Sequence, residues 1–335
     1  MQHVHLDSVP WMEWSSTTGK FHGAGKQVSE VLGANLNANL VDGGHPFDLE
    51  YGKLLPGKAG CPFHSHSAQW ECYYIVSGTG TMRYGDQRRQ LRAGDIALHP
   101  PGSSHQLINT GDNDLLYYLV ADNPTSEFWH YPDSDKYGFK PGGVIFRKTD
   151  AHYDLGEDDP PGEPLVSEPR KALPEMPAQF INVAEIKEDH RHSPKNKFSS
   201  HCRDISLTLG GKRNADVAHG GHPFDLQIRR ITAGAAICPY HSHSAQWELL
   251  VFLSGHGSVR TPDGIKEVGP GDIVLHPPGT PHQTRASAES ALECLIITDN
   301  PLEDVCYYPD SDRWGILSAR KYFRITALDY FDGEE

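Results

Sequence analysis

An internal repeat sets the architecture that this chain can adopt. The segment PFHSHSAQWE runs from Pro62 to Glu71, and PYHSHSAQWE returns from Pro239 to Glu248, 177 positions later. The same offset relates GGHPFDL at 43–49 and 220–226, LHPPG at 98–102 and 275–279, and YPDSD at 131–135 and 308–312. A constant offset indicates the tandem duplication of one domain, and its period is far too long for a solenoid.

The repeat divides the 335 residues into two domains. Each half is long enough to bury a core of its own. Between the copies, residues 156–179 are rich in proline and acidic side chains and lack apolar periodicity, which is typical of a linker. We predict an N-terminal domain over residues 1–140, a linker over 141–180 and a C-terminal domain over 181–335.

Composition and local pattern favour an all-β fold. The chain has 33 glycines and 25 prolines, which suit many short strands joined by tight turns. Apolar and aromatic runs such as WECYYIVSG (70–78) and WELLVFLSG (247–255) end at glycines, as strands of hairpins do. Because no helical stretch separates these strands, we predict an antiparallel sandwich or barrel in each half.

The charge balance argues against polyanionic partners. The net charge is -14 at pH 7, and such a field repels nucleic acid and anionic membrane surfaces. No window approaches the length of apolar sequence that spans a membrane, and the first residues lack the pattern of a secretory signal. Six cysteines are too few for a disulfide scaffold. We expect a cytoplasmic protein with reduced thiols and neither a nucleic-acid nor a membrane partner.

Two histidines one residue apart stand in each copy of the repeated segment. Side chains alternate faces along a strand, so His64 and His66 project from the same face. Glu71 can face the same cavity from the next strand, and His105 can reach it from beyond the Pro-Pro-Gly turn. Three imidazoles and one carboxylate suit Mn, Fe, Co, Ni, Cu or Zn. The predicted ligands, for up to one divalent ion per domain, are His64, His66, Glu71 and His105, and then His241, His243, Glu248 and His282.

The spacing of these residues resembles the two signatures of the cupin superfamily. A His-x-His pair, four residues, Glu71, six residues and Gly78 are similar to the first signature. Gly94, five residues, Pro-x-Gly-x-x-His ending at His105, three residues and Asn109 are similar to the second. The C-terminal copy follows both patterns up to its last position.

The resemblance implies a bicupin. Each half would be a double-stranded β-helix, or jelly-roll, barrel that holds one metal through three histidines and one glutamate. Ala286 stands where the final asparagine is expected in the second copy, a departure that bears on local turn geometry rather than on metal binding. The YPDSD segments further resemble a cupin subgroup labelled as similar to sugar-phosphate isomerases.

Two more histidines stand beside the predicted metal sites. His99 and His276 precede the Pro-Pro-Gly turn, where many cupins carry an apolar or aromatic residue. As polar side chains at strand positions, they are our candidates for proton transfer or substrate contact, with Glu71 and Glu248 as further candidate bases. A histidine that is hydrogen-bonded to backbone is the alternative interpretation.

Three residue pairs flank these motifs: Cys61 and Cys238, Gln69 and Gln246, and His45 and His222. We expect the cysteines to pack rather than to ligate, since a small thiol is a common packing choice. The glutamines either bond a metal-bound water or substrate, or cap the turn. The histidines of Gly-Gly-His-Pro are expected in plain turns.

The ligand set favours a metal-dependent enzyme that acts on a small oxygen-rich molecule. Dioxygenase-type chemistry is preferred, because the four-residue gap between His66 and Glu71 is similar to that of the flavonol dioxygenases. Isomerisation or epimerisation of a sugar or sugar phosphate is the alternative. Oxalate-decarboxylase chemistry is disfavoured, because bicupins of that type carry arginine where Cys61 and Cys238 stand. A non-catalytic protein that binds metal and a small ligand is the competing class, and a homodimer is compatible with each.

Overall fold

The computed structural model describes residues 1–148, 177–317, 319 and 321–334. Both repeats consist of short strands with one single-turn α-helix each, α1 (Val28–Val31) and α2 (Ile205–Thr208). The strands of the first repeat are β1 (Gln2–His5), β2 (Met12–Ser15), β3 (His22–Gln27), β4 (Phe47–Leu54), β5 (Ser65–His66), β6 (Glu71–Ser77), β7 (Thr79–Tyr84), β8 (Gln87–Arg92), β9 (Asp95–His99), β10 (His105–Ile108), β11 (Leu115–Asp122), β12 (Glu127–Tyr131), β13 (Lys136–Lys140) and β14 (Val144–Phe146).

The second repeat reproduces this order strand for strand. Its strands are β15 (Gln179–Asn182), β16 (Asp189–His192), β17 (Ser199–Asp204), β18 (Phe224–Ile231), β19 (Ser242–His243), β20 (Glu248–Ser254), β21 (Gly257–Thr261), β22 (Gly264–Val268), β23 (Asp272–His276), β24 (Gln283–Ala286), β25 (Leu292–Asp299), β26 (Val305–Tyr308), β27 (Arg313–Ile316) and β28 (Lys321–Phe323). Short 3-10 helices lie at Leu6–Ser8, Leu40–Asp42, Val183–Glu185, Val217–His219 and Pro309–Ser311.

Each repeat contributes to a seven-stranded, a four-stranded and a three-stranded sheet, and each seven-stranded sheet takes its first strand from the other repeat. In the first repeat the orders are β15-β9-β6-β11-β4-β3-β2, β14-β13-β12-β5 and β10-β7-β8. In the second they are β1-β23-β20-β25-β18-β17-β16, β19-β26-β27-β28 and β22-β21-β24. The all-β prediction of two jelly-roll halves is confirmed. The described strands form open sheets that face one another as a sandwich rather than one closed ring of hydrogen bonds.

The described residues form two compact units. One, here the N-terminal unit, comprises those of Glu13–Gly25 and Tyr51–Phe180, and the other, the C-terminal unit, comprises those of Met1–Met12, Lys26–Glu50 and Ile181–Glu335. The first residues join the C-terminal unit because β1 pairs with β23 along its whole length.

The predicted domain boundaries follow the repeat instead, and they stay a prediction. The predicted linker over residues 141–180 lies mostly outside the described residues. Its described ends carry β14 and the start of β15.

Alternating strand residues fill each core. In the N-terminal unit Leu54, Ile75 and Leu115 are fully buried in one apolar cluster, and Val259 and Leu292 are buried in the corresponding cluster of the C-terminal unit. Side chains alternate between the two faces of a strand, and each strand turns one of these faces toward the interior. The side chains of the predicted ligands therefore share the sandwich interior with these apolar residues.

Candidate metal centres

Backbone pairing brings the four predicted ligands of the N-terminal unit to one place. A two-way bridge joins His64 and His105, with N···O distances of 3.1 and 2.7 Å. His66 lies on β5, which pairs with β12. Glu71 begins β6, directly opposite His99 of β9. Backbone pairing therefore positions these four residues without the help of a bound ion.

The ligand atoms of this unit converge. Those of His64, Glu71 and His105 lie within 4.8 Å of one another. His105 Nε2 is 2.6 Å from Glu71 Oε2, and the Nε2 atoms of His64 and His66 lie 3.8 and 3.7 Å from the two oxygens of Glu71. Their side chains are between 1% and 12% exposed. The four residues meet around one point inside the unit.

The C-terminal unit repeats the arrangement. Ligand atoms of His241, His243 and Glu248 lie within 4.8 Å of one another. His282 Nε2 is 3.6 Å from Glu248 Oε1, and a backbone bridge joins His241 to His282 at the same two distances as in the other unit. The Nε2 atoms of His241 and His243 face each other at 3.1 Å.

Hydrogen bonds fix the tautomer of all six histidines. Each Nδ1 faces an oxygen that can only accept, either a backbone carbonyl or a carboxylate, so Nδ1 carries a proton, and Nε2 keeps its lone pair in the neutral form of the ring. The 2.6 Å contact between His105 Nε2 and Glu71 is a hydrogen bond that a bound metal ion would replace. Buried Nε2 atoms of His66 and His282 have no hydrogen-bond partner in the described part of the chain. The Nδ1 contacts are His64 to Pro62 (2.9 Å), His105 to Ser103 (2.9 Å), His66 to Glu127 (3.1 Å), His241 to Pro239 (3.0 Å), His282 to Thr280 (2.9 Å) and His243 to Asp304 (2.6 Å).

The carboxylates behind His66 and His243 were missed by sequence reasoning. Glu127 opens β12 and is buried. Asp304 precedes β26 and also accepts hydrogen bonds from the backbone of Ala245 (2.9 Å) and from Ser244 Oγ (3.2 Å). Each lies 61 positions from its histidine. The signal that could have found them is the repeat offset, since both copies carry an acid at this place.

The electrostatics of the cluster follow from burial and these contacts. Burial and the neighbouring imidazoles lower the pKa of His64 to about 3, so that ring is neutral. Burial opposes protonation of His243, but the hydrogen bonds to Asp304 and Cys306 together raise its pKa to about 9. Burial also opposes protonation of His66, but the hydrogen bond to Glu127 and the negative charges of Glu71, Glu127 and Asp122 together raise its pKa. Burial works to raise the pKa of Glu71, yet the His105 hydrogen bond and the charges of the three imidazoles together hold it well below its usual range.

His99 and His276 lie behind the ligands. Each is 1% exposed and stacks on a predicted ligand, His99 on His105 at 4.0 Å between ring centroids and His276 on His282 at 3.8 Å. His99 Nδ1 is 3.3 Å from Ser103 Oγ, and neither ring nitrogen of His276 has a hydrogen-bond partner among the described residues. Burial lowers both pKa values far below the usual one. A proton-transfer role for this pair stays a prediction.

The flanking pairs surround the same centres. Each cysteine sulfur lies 3.5 Å from Nδ1 of the first histidine, on the side of the ring away from the converging Nε2 atoms. Each glutamine side chain donates to a backbone carbonyl, that of Asp122 or Asp299, and Gln246 also lines the cavity described next. His45 and His222 are buried, and His222 is not among the residues that line that cavity.

A cavity of about 530 Å³ opens onto the centre of the C-terminal unit. His241, His243 and Glu248 form part of its wall. The remaining wall includes Arg191 and Arg229 together with apolar and aromatic side chains. A space of this size suits a small molecule held beside an ion.

Known proteins resemble this chain in sequence and in fold. A family model described as a Cupin domain matches residues 51–121 and 227–298. An oxalate-binding protein of Thermotoga maritima is 35% identical over 68 residues, which are 20% of this chain and 55% of that protein. An uncharacterised protein of Methanocaldococcus jannaschii is 27% identical over 73 residues and matched over 58% of its length. The chain therefore covers little more than half the length of these relatives.

Solved structures extend the likeness in fold to both halves. Oxalate decarboxylase of Lactobacillus farciminis superposes with a TM-score of 0.55 at 15% identity, over 91% of this chain and 88% of that one. Vicilin of hazelnut, Corylus avellana, superposes with a TM-score of 0.52 at 13% identity, over 92% and 88%. Such different proteins on one fold show that the fold does not select an activity.

Among the described helices, none combines the length and apolar character needed to cross a membrane.

Proposed function

This chain belongs to the cupins as a bicupin, with one cupin domain in each half, and we propose that it is a metal-dependent enzyme acting on a small oxygen-rich molecule. Each unit would hold one divalent transition metal ion. The residues that would hold it are His64, His66, Glu71 and His105 in one unit, and His241, His243, Glu248 and His282 in the other.

One observation carries the proposal. Six imidazoles, three in each unit, donate Nδ1–H to acceptor-only oxygens and turn Nε2 toward the glutamate of their unit. Lone pairs that face one another, such as those of His241 and His243 at 3.1 Å, repel unless a cation or a proton lies between them. The neutral form imposed on His64 is also the form that binds a metal. The donor set therefore fits a borderline transition metal.

Residues of the chain would orient the metal-binding histidines and shield the ion from water. A bound divalent ion would supply a Lewis acid that polarises the oxygens of a small molecule. Glu127 and Asp304 keep the rings of His66 and His243 in the ligand tautomer. In the N-terminal unit, burial of His64, Glu71 and His105 limits the access of bulk water and would strengthen the electrostatic interactions of a bound ion.

Dioxygenase-type chemistry is the first activity to test. Its support is the spacing from His66 to Glu71 within the signature, and sugar or sugar-phosphate isomerisation stays the alternative. The name of the Thermotoga relative, an oxalate-binding protein, supports a small oxygen-rich ligand for either. Oxygen consumption with enolic and catecholic compounds tests the first activity, and proton exchange with sugars and sugar phosphates tests the second. A protein that gains thermal stability with such a compound but turns over none of them would be a binding protein.

Metal content tests the proposal directly. Purified protein should hold up to two transition-metal ions per chain by elemental analysis. The double variant His64→Ala/His66→Ala should lose the ion of the N-terminal unit only. A matched control is His190→Ala/His192→Ala, since that pair has the same spacing on β16 but is exposed. Folded wild-type protein with less than half an ion per chain after metal supply would refute the proposal.

A further inference from the structure

The walls around the two proposed metal sites differ in charge. Three arginines line the cavity of the C-terminal unit: Arg191, Arg213 and Arg229. At the positions 177 residues earlier stand Trp14, Leu36 and Gly52. The ligand sets of the two copies are identical, so the difference lies entirely in the surroundings.

Two of the three arginines are already neutralised. Arg213 Nη2 is 2.6 Å from Asp204 Oδ2, and Arg191 Nη2 is 3.7 Å from the same oxygen. Arg191 also contacts Asp189 at 3.1 Å. These two guanidinium groups therefore have carboxylate partners within the protein and do not by themselves demand a ligand.

Arg229 differs from both. Its Nε donates to Gln227 Oε1 at 2.9 Å and its Nη1 donates to Ser200 Oγ at 2.8 Å. Both partners are neutral, and in the described part of the chain no carboxylate lies within 4.0 Å of its guanidinium. The side chain is half-buried in the cavity wall. It presents a cation to the cavity that no carboxylate of the described residues contacts directly.

An unpaired cation in such a place favours an anionic ligand. Burial disfavours the charge of Arg229 and lowers its pKa, yet a guanidinium stays protonated in proteins. A cation removed from water without a counterion is costly, and a bound carboxylate would offset that cost through charge-assisted hydrogen bonds. Gln227 and Ser200 hold the guanidinium group of Arg229 in one orientation, which reduces the conformational entropy lost when a ligand binds.

The acids of the cavity do not cancel this preference. Its wall contains three carboxyl groups, Asp204, Asp225 and Glu248. Asp204 is paired with two arginines, burial raises the pKa of Asp225 to about 6, and Glu248 belongs to the metal cluster. Three arginines balance three acids, so a divalent ion at the cluster gives the cavity a net positive charge.

The N-terminal unit fills the equivalent space with aromatic rings. A Cβ atom at Gly52 would overlap the ring of Tyr117, and a Cβ at Gly23 would lie 2.7 Å from the Trp14 ring. Tyr73 packs against Tyr117 at 5.7 Å between centroids, and its hydroxyl donates to Glu71 at 3.2 Å. Glycines at these two places let rings occupy the room where the C-terminal unit carries arginine and serine.

We propose that the C-terminal cavity is a binding site for a small organic carboxylate, held by Arg229 beside the His241–His243–Glu248 cluster, and that the N-terminal unit lacks this anion site. The inference rests on the proposed function, because it takes the cluster to hold an ion. It assigns the substrate class of one site. It also assigns different ligand preferences to two sites with the same metal-binding residues.

Binding of malonate to the Zn²⁺-loaded full chain tests the inference. Isothermal titration should find one malonate per chain, and malonamide, the uncharged analogue, should bind at least tenfold more weakly. Arg229→Gln should weaken malonate binding about 10- to 100-fold, the loss expected for hydrogen bonds between charged groups. Arg229→Lys keeps the positive charge but not the planar, two-pronged hydrogen bonding of the guanidinium group, so it should bind malonate more tightly than Arg229→Gln and more weakly than the wild type.

Arg230→Gln is the matched control. Arg230 is the next residue on β18, points to the opposite face and contacts Glu188 at the surface, so its loss should change malonate affinity less than twofold. Two malonates per chain of equal affinity, equal binding of malonamide, or full affinity in Arg229→Gln would each overturn the inference. If Arg229→Gln does not fold, the stoichiometry and the malonamide comparison on wild-type protein decide. The Zn²⁺ content of every sample is measured as well. A chain that binds no Zn²⁺ refutes the proposed function, whereas a Zn²⁺-loaded chain that fails the malonate tests refutes only the carboxylate site.

Discussion

Replacing Asp304 by asparagine should weaken metal binding in the C-terminal unit while changing a single atom. Asp304 Oδ2 accepts Nδ1–H of His243 at 2.6 Å, and Oδ1 accepts the backbone N–H groups of Ala245 and Gln246 at 2.9 and 3.3 Å. The asparagine oxygen can serve the two backbone donors, which leaves its amide NH₂ facing His243. Two donors cannot bond, so the neutral, metal-binding form of the ring would carry its proton on Nε2, the atom that faces His241.

The expected loss follows from these contacts. Coordination through Nε2 would require the other tautomer and would restore the contact between two donors. A hydrogen bond between charged groups contributes about 1.5–3 kcal/mol, and a carboxylate behind a metal-bound histidine is worth about 10- to 100-fold in metal affinity. We therefore expect the dissociation constant for Zn²⁺ to rise about 10- to 100-fold in Asp304→Asn. Glu127→Gln should have a smaller effect on the N-terminal unit, because its contact to His66 is longer, at 3.1 Å.

Calorimetric titration with Zn²⁺ and a competing chelator measures this change. The parent should carry His64→Ala/His66→Ala, so that only the C-terminal site reports. Asp310→Asn is the control, since Asp310 makes a salt bridge with Arg260 at the surface, at 2.8 Å. A dissociation constant of Asp304→Asn within twofold of the parent, or an equal loss in Asp310→Asn, would refute the tautomer argument.

Three further changes probe other parts of the structure. His99→Phe should keep both ions but lower turnover at least tenfold by steady-state kinetics; unchanged rates would leave His99 a packing residue. The folded-state pKa of Asp225 is about 6, above the ordinary 3.8, so its carboxyl group destabilises the fold increasingly as pH rises through that window. Asp225→Asn should therefore add up to about 3 kcal/mol at pH 8 and little at pH 4 in urea unfolding, and equal gains at both would contradict the assignment. Gly52→Ala should cost about 1–3 kcal/mol by overpacking against Tyr117, and Tyr117→Leu in the same chain should recover most of that loss.

Local strands could be predicted from sequence because their signal is local. The apolar runs at 70–78 and 247–255 contain β6 and β20, and glycine ends each run where the hairpin turns. Gly78 adopts φ of 83°, and a Cβ there would lie 2.6 Å from the Asp114 carbonyl oxygen. The pairing of β1 with β23 could not be predicted in this way, because it joins residues that are far apart along the chain and register depends on both partners.

The convergence of the candidate ligands could be predicted from the spacing of the motifs, whereas their role as metal ligands stays a prediction. The His-x-His spacing fixes two side chains on one face, and the structure brings Glu71 and His105 to them. Glu127 could not be predicted from the motif, because it comes from a strand 61 positions away whose pairing with β5 is set only in the folded chain. Arg229 belongs to neither motif, and it is found only by comparing the two copies position by position, since Gly52 stands at the equivalent place in the first copy.

The exchange of residues around the two centres is not a requirement of packing. Arg229 lies across from Cys294 in the C-terminal sheet, and the equivalent pair in the N-terminal unit is Gly52 and Tyr117, which are in contact. In each pair one member is large and the other is small, so the space between the strands can be filled either way. The large side chain comes from opposite strands in the two copies, and one version ends in a guanidinium group while the other ends in a phenol. Since both versions fill the sandwich, the choice between them sets what the cavity can bind rather than whether the unit folds.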